Sequence, residues 1–233
     1  MSHFPLSPTS LNTWLTCPRQ FQAKYITKEV VFKPTEASEF GVRVHKSIED
    51  YLTKDTPLSA EAAFCQPVAD WVKSYALQDG VELHVEHKLA NTAPWASSAP
   101  HAPTQWRGRG YGGIADVLLI DHNTRRVIIV DWKTGKRAKD DPTQAQMLAL
   151  CAAADTHRMY RDVTTMWVFV KAGDIVRHRF MMDSLTPVQE TQDAMWRWKR
   201  AYDAGNYPPT PNGLCKKWCD VVNCPHSGRV GGV

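Results

Sequence analysis

The chain has 233 residues, a net charge of +4, and 43% hydrophobic against 22% charged residues, an ordinary globular composition that excludes a fibrous repeat or a disordered polymer. That length suits one domain with at most a small appendage. No apolar run approaches the ~20 residues that cross a bilayer, and MSHFPLSPTS lacks a basic segment followed by an apolar one, so a cytoplasmic protein without a membrane partner is expected.

The opening stretch SPTSLNTWLTCPRQFQAKYI supplies hydroxyl residues that can cap a helix, then Leu11, Trp14 and Leu15 at helical spacing. A second short helix is expected from Pro18, with Phe21 and Tyr25 on one face. EFGVRVHKSIEDYL spaces Val44, Ile48 and Tyr51 or Leu52 as an amphipathic helix, and another is expected around AAFCQPVADWVKSYAL despite Pro67. Val81, Leu83 and Val85 then alternate with polar residues, as in a half-buried strand. NTAPWASSAPHAPTQW reads as a loop. GGIADVLLI and VIIVDWK are two apolar strands joined by the turn-forming DHNTRR, and their continuous apolarity predicts a sheet covered on both faces. Asp141 can cap a helix starting at Pro142, TTMWVFVKAG and DIVRHRFMM form a hairpin turning at Ala172 to Asp174, and a last helix runs from Thr186 towards Gly205. The tail that follows is too rich in Pro, Gly and Cys for a regular element.

Asp131 and Lys133 are two apart on a strand and so project from one face; Asp116, on the neighbouring strand, can join them. Two carboxylates suit a hard cation such as Mg²⁺ or Mn²⁺, which polarises a phosphate and lowers the pKa of an attacking water. Lys133 is placed to orient that water or to stabilise charge on phosphoryl oxygens. Taken singly, each residue has a plainer reading: D-x-K is common where strands meet solvent, His45 suits an ordinary helix face, and Gln144 is an unremarkable helix residue. Their conjunction in one order, on helix, strand, strand and helix, favours a site.

Asp, an interval, then Asp-x-Lys resembles the signature of the PD-(D/E)XK nucleases. GVRVH, Gly41 to His45, resembles the GxxxH motif of the RecB-like and CRISPR-associated exonuclease branch; IVDWKTG resembles its catalytic strand; and Gln144 with Leu148 resembles its QxxxY helix motif, with Leu for Tyr. LSPTSLNTWLTCPRQFQAKY is similar to the N-terminal segment of that branch, so the resemblance runs from Leu6 to Cys224. It implies an α/β, restriction-endonuclease-like fold, with a mixed central sheet and flanking helices. It also implies metal binding by His45, Asp116 and Asp131, aided by the Trp132 carbonyl, with Lys133 catalytic and Gln144 positioning Lys133 or the phosphate. Glu86 stands where some relatives carry an additional strand glutamate.

Cys17 lies near one end and Cys215, Cys219 and Cys224 near the other, whereas Cys65 and Cys151 read as core residues. Four thiolates are the usual complement of an iron-sulfur cluster or a structural zinc. Relatives that carry a cluster hold four irons and four sulfides with one N-terminal and three C-terminal cysteines, commonly spaced C-x2-C-x5-C; here the spacing is C-x3-C-x4-C, and His226 is a further zinc ligand candidate. A [4Fe-4S] cluster is the expectation and Zn²⁺ the alternative, with residues 1–30 and 206–228 forming a clasp on a single domain of residues 1–233.

The implied activity is metal-dependent hydrolysis of DNA, as an exonuclease acting on ends or single strands. Arg107, Arg109, Lys136, Arg137 and Lys139 are candidates for phosphate contacts, and Trp95 and Trp106 for base stacking. The alternatives are a structure- or site-specific endonuclease on the same fold, or a non-catalytic DNA-binding accessory protein of recombination. Helicase or recombination proteins are candidate partners, with Trp196 and Trp198 expected as an exposed surface for them.

Overall fold

The computed structural model describes residues 4, 6–91, 110–135, 140–156, 160, 162–182 and 188–228. The expected loop with Trp95, Trp106, Arg107 and Arg109, the basic residues Lys136, Arg137 and Lys139, and the helix start at Thr186 lie outside the described residues. The chain forms two compact units, one of residues 1–5 and 34–189, the other of residues 6–33 and 190–233.

The smaller unit begins with helix Pro8–Thr16 (α1), where Ser7 and Ser10 make a reciprocal capping box and Leu11 is fully buried. Helix Pro18–Phe21 (α2) follows, and the chain continues as a π-helical turn over Gln22–Ile26.

In the larger unit, helix Glu36–Lys54 (α3) is capped by Thr35 with Ser38, and its stripe Val44, Ile48 and Leu52 is buried. The next predicted helix divides into a 3₁₀ segment, Ala60–Cys65, and helix Gln66–Ala76 (α4). Pro67 falls in the first turn of α4, where a missing N–H costs no helical hydrogen bond. The sheet comprises Val81–Asn91 (β1), Tyr111–Asp121 (β2), Arg126–Lys133 (β3), Asp162–Phe169 (β4) and Asp174–Met181 (β5), in the order β1-β2-β3-β4-β5. All neighbours are antiparallel except β3 and β4, which are parallel and joined by helix Pro142–Asp155 (α5).

Val117, Leu119, Ile128, Val130, Met166 and Val168 form one core with the buried stripes of α3 and α4. The alternate residues Leu118, Ile129 and Trp167 point to the other face, on the side of α5, and are fully buried too. This two-sided burial is what the continuous apolar strands predict. Asp121 fixes the β2–β3 turn by accepting hydrogen bonds from the Asn123 and Thr124 backbone N–H groups, the Thr124 hydroxyl and the Tyr75 hydroxyl. Gly173, with φ of 71°, makes the predicted β4–β5 turn.

Helix Gln189–Asp203 (α6) returns the chain to the smaller unit, where Trp198 is 1% exposed, edge-on to Phe21 at 6.1 Å and stacked on Tyr202 at 5.2 Å. This corrects the expectation of an exposed Trp198: its ring fills the unit's core between two aromatics, and of the pair it is Trp196, at 36%, that is exposed. Among the described residues no helix is long and apolar enough to cross a membrane.

Candidate functional site

The ladder between β2 and β3 runs from Asp121↔Arg126 to Val117↔Val130 and ends there. Asp116 and Asp131 are the next residues, so both carboxylates sit where the hairpin opens. Asp116 lies inside β2 rather than at a strand end: what stops beside it is the pairing with β3, while pairing with β1 continues on either side of it. Its Oδ2 accepts the Trp132 backbone N–H at 2.7 Å, so the carboxylate bridges the opening. Beyond it, β3 stays paired with β4 as far as Lys133↔Phe169.

The GxxxH spacing has a steric reason. A Cβ on Gly41 would stand 3.1 Å from Thr134 Oγ1, so glycine lets α3 pack close to the exit of β3. One turn later the His45 Nε2–H donates to the Trp132 carbonyl at 2.8 Å, and its Nδ1 lies 3.3 Å from Asp116 Oδ1. Because a carbonyl can only accept, Nε2 carries the proton.

Glu86 arrives by a break in β1. It has φ of 52°, a left-handed conformation rarely adopted by a residue with a side chain, and the β1–β2 pairing passes from Val85↔Val117 to His87↔Ala115 without it. The break reverses the alternation: Val85 packs in the α3/α4 core, whereas His87, two residues on, pairs with Asp155 of α5 at 3.1 Å. Glu86 is thereby brought to the opening, where its carboxylate and ligand atoms of His45 and Asp116 all lie within 4.8 Å of one another.

Asp131 stands beside this group and is bound differently. Its Oδ2 is 2.7 Å from Lys133 Nζ, and its Oδ1 accepts from Gln144 Nε2 at 2.8 Å. Gln144 Oε1 accepts from Lys133 Nζ at 2.7 Å, so the α5 glutamine ties the aspartate and lysine together. Asp141 holds the start of α5 by accepting the Gln144 N–H at 3.0 Å. Lys133 Nζ also lies 5.0 Å from the ring centroid of Trp167, which the β3–β4 register sets opposite Asp131. Sequence reading missed Trp167, since no motif marks it and only the register of a distant strand brings it there.

The electrostatics are those of too many carboxylates in little water. Burial raises the Asp131 pKa to about 6, and the Asp116 charge adds to this against the opposing Lys133. Burial and then Asp116 raise Glu86 as well. For His45, burial favours the neutral ring, but the hydrogen bond to Asp116 and the surrounding carboxylate charges win, and its pKa is raised. Three carboxylates facing one lysine and one imidazole form a donor set that fits a hard divalent cation, whose charge relieves this repulsion.

The smaller unit holds a second candidate. Cys17, Cys215, Cys219, Cys224 and His226 line one cavity that is open to solvent. All four thiols are free. Backbone N–H groups of Thr210 and Asn212 point at Cys17 Sγ and Cys215 Sγ, each at 3.4 Å. Arg19 lines the same cavity; its hydrogen bond to Glu29 is the largest influence raising its pKa, and Cys17 and Cys224 add to the effect. Cys65 and Cys151 are fully buried, as expected of core residues.

A sequence profile of the PD-(D/E)XK nuclease superfamily matches residues 5–225. No curated protein sequence matches the chain. Among solved structures, the crystal structure of SSO0001 is similar, with a TM-score of 0.47 and 13% identity over 97% of this chain and 87% of that one. The profile spans both units and every position of the candidate site, and by it the chain belongs to the PD-(D/E)XK nuclease superfamily.

Proposed function

We propose that the protein is a Mg²⁺- or Mn²⁺-dependent deoxyribonuclease of the RecB-like branch, acting as an exonuclease on DNA ends or single strands. The observation that carries this is the convergence of His45, Glu86 and Asp116 with the Asp131–Lys133–Gln144 triad at the opening of the β2–β3 hairpin. The G-x3-H, D-x-K and Q-x3-L order supports the branch.

In this reading His45, Glu86, Asp116 and Asp131 hold the cation, with the Trp132 carbonyl beside them. When bound, the cation supplies Lewis acidity to the scissile phosphate and lowers the pKa of a water. Lys133, fixed by Gln144 and Asp131 over the Trp167 ring, carries its charge to the phosphoryl oxygens and orients the attacking water. Gln144 is the positioning residue, since it holds both partners of the D-x-K pair at once. Arg107, Arg109, Lys136 and Arg137 are the proposed phosphate contacts, and helicase or recombination proteins the proposed partners in an intracellular setting.

The test is digestion of end-labelled linear single-stranded and duplex DNA beside closed circular DNA, with Mn²⁺ or Mg²⁺, comparing wild type with Asp131→Ala. Loss of linear DNA that needs the ion and vanishes in the variant is the expected result. Equal cleavage of closed circles makes the enzyme an endonuclease, and no cleavage at all by metal-replete protein leaves a DNA-binding accessory role.

We further propose that Cys17, Cys215, Cys219 and Cys224 hold a [4Fe-4S] cluster that ties the two ends of the chain together. Support comes from the cavity the four cysteines share and from their distribution, one near the N-terminal end and three near the C-terminal end. Anaerobically prepared protein should contain iron and acid-labile sulfide; stoichiometric zinc without sulfide would overturn this and assign the cavity to Zn²⁺, with His226 as a further ligand candidate.

A further inference from the structure

Glu82 and His84, at the start of edge strand β1, meet His122 of the β2–β3 turn, at the closed end of the hairpin whose open end carries Asp116 and Asp131. One carboxylate engages both rings: Glu82 Oε1 lies 2.8 Å from His122 Nε2, and Oε2 lies 3.2 Å from His84 Nε2. The two imidazoles hold the Glu82 carboxyl below its ordinary pKa, His122 more strongly than His84. Each ring is braced from behind. His122 Nδ1 contacts the hydroxyl of the buried Tyr160, and the His84 ring packs 4.9 Å from that of His87, itself held by Asp155.

We propose that Glu82, His84 and His122 form a second metal site, for an imidazole-preferring first-row cation such as Zn²⁺ or Ni²⁺, that staples the edge strand to the β2–β3 turn. Two imidazoles and one carboxylate favour such ions over Mg²⁺ or Mn²⁺, so the site differs in selectivity from the carboxylate-rich one. Each imidazole already lies within hydrogen-bond reach of a different Glu82 oxygen, whereas bonds of about 2.0–2.2 Å to one ion place tetrahedral ligand atoms about 3.4 Å apart. Tyr160 suits both states. Its hydroxyl donates to His122 Nδ1 while the Nε2–H bonds Glu82, and it accepts the Nδ1–H when Nε2 turns its lone pair to an ion. Single ligand atoms of these three residues are not among those gathered within 4.8 Å, so loading requires a ring to swing. Side-chain exposures of 53% for Glu82, 38% for His84 and 41% for His122 leave room for that movement and for a water on the open side.

The experiment uses the full chain in saturating Mg²⁺, with Zn²⁺ added stepwise. Diethylpyrocarbonate then labels the histidines, and mass spectrometry reads each one separately, which distinguishes this site from zinc taken up by cysteines. His84 and His122 should label severalfold more slowly with Zn²⁺, while His178, paired with Asp140 on β5, should be unaffected. In Glu82→Gln, a change at an exposed position, the zinc concentration giving half protection should rise by about tenfold or more. Unchanged labelling at about tenfold zinc excess, equal protection of His178, or identical protection in Glu82→Gln would each overturn the proposal. None of these readouts depends on nuclease activity.

Discussion

Lys133→Met is expected to lower kcat by about 10²- to 10³-fold, the usual loss when one preorganised charge donor is taken from a reacting centre, while leaving Mn²⁺ affinity nearly unchanged. Methionine keeps the aliphatic stem over the Trp167 ring and removes the ammonium that bonds Asp131 and Gln144. The carboxylates remain, so the change separates charge delivery from ion binding. Single-turnover cleavage read beside calorimetric Mn²⁺ titration makes the comparison. Cleavage within a fewfold of wild type would make Lys133 a structural counter-ion of Asp131 and nothing more.

Glu86→Gln is expected to have the opposite signature: weaker Mn²⁺ binding, by at least the roughly 10- to 100-fold lost when a residue that merely orients a metal ligand is removed, and partial recovery of cleavage at high Mn²⁺. The amide keeps the size of the side chain in the left-handed break of β1 and loses one of the clustered negative charges. Calorimetry over a range of Mn²⁺ concentrations, paired with cleavage assays, checks both halves. Unaltered Mn²⁺ affinity would remove Glu86 from the ligand set and leave His45, Asp116 and Asp131.

The sequence made legible whatever depends on short-range spacing. Asp131 and Lys133 share a strand face because side chains alternate, and His45 follows Gly41 by one helical turn because α3 must pass close to Thr134. Both faces of the sheet are covered, as the unbroken apolar runs of β2 and β3 indicate. Features made by distant pairing were less accessible. The period-two pattern of β1 assumes regular backbone, and nothing in VELHVEHKL announces that Glu86 takes a positive φ and hands His87 to the opposite layer. Trp167 reaches Lys133 only through the parallel β3–β4 register, and Trp198 is buried only because Phe21, far away in the chain, packs against it. His122, Glu82 and His84 converge through the β1–β2 pairing, so no local motif marks them.

Asp116 belongs to the architecture as much as to the chemistry. By accepting the Trp132 N–H it closes the gap where β2 and β3 part, so its loss would leave a backbone donor unpaired in a largely buried place. Selection for a folded protein therefore retains this aspartate even in a lineage that has abandoned catalysis. Lys133 has no such backbone duty. When homologues of this chain are compared, a preserved Asp116 says little about whether a descendant still cuts DNA, and the lysine is the more informative fossil.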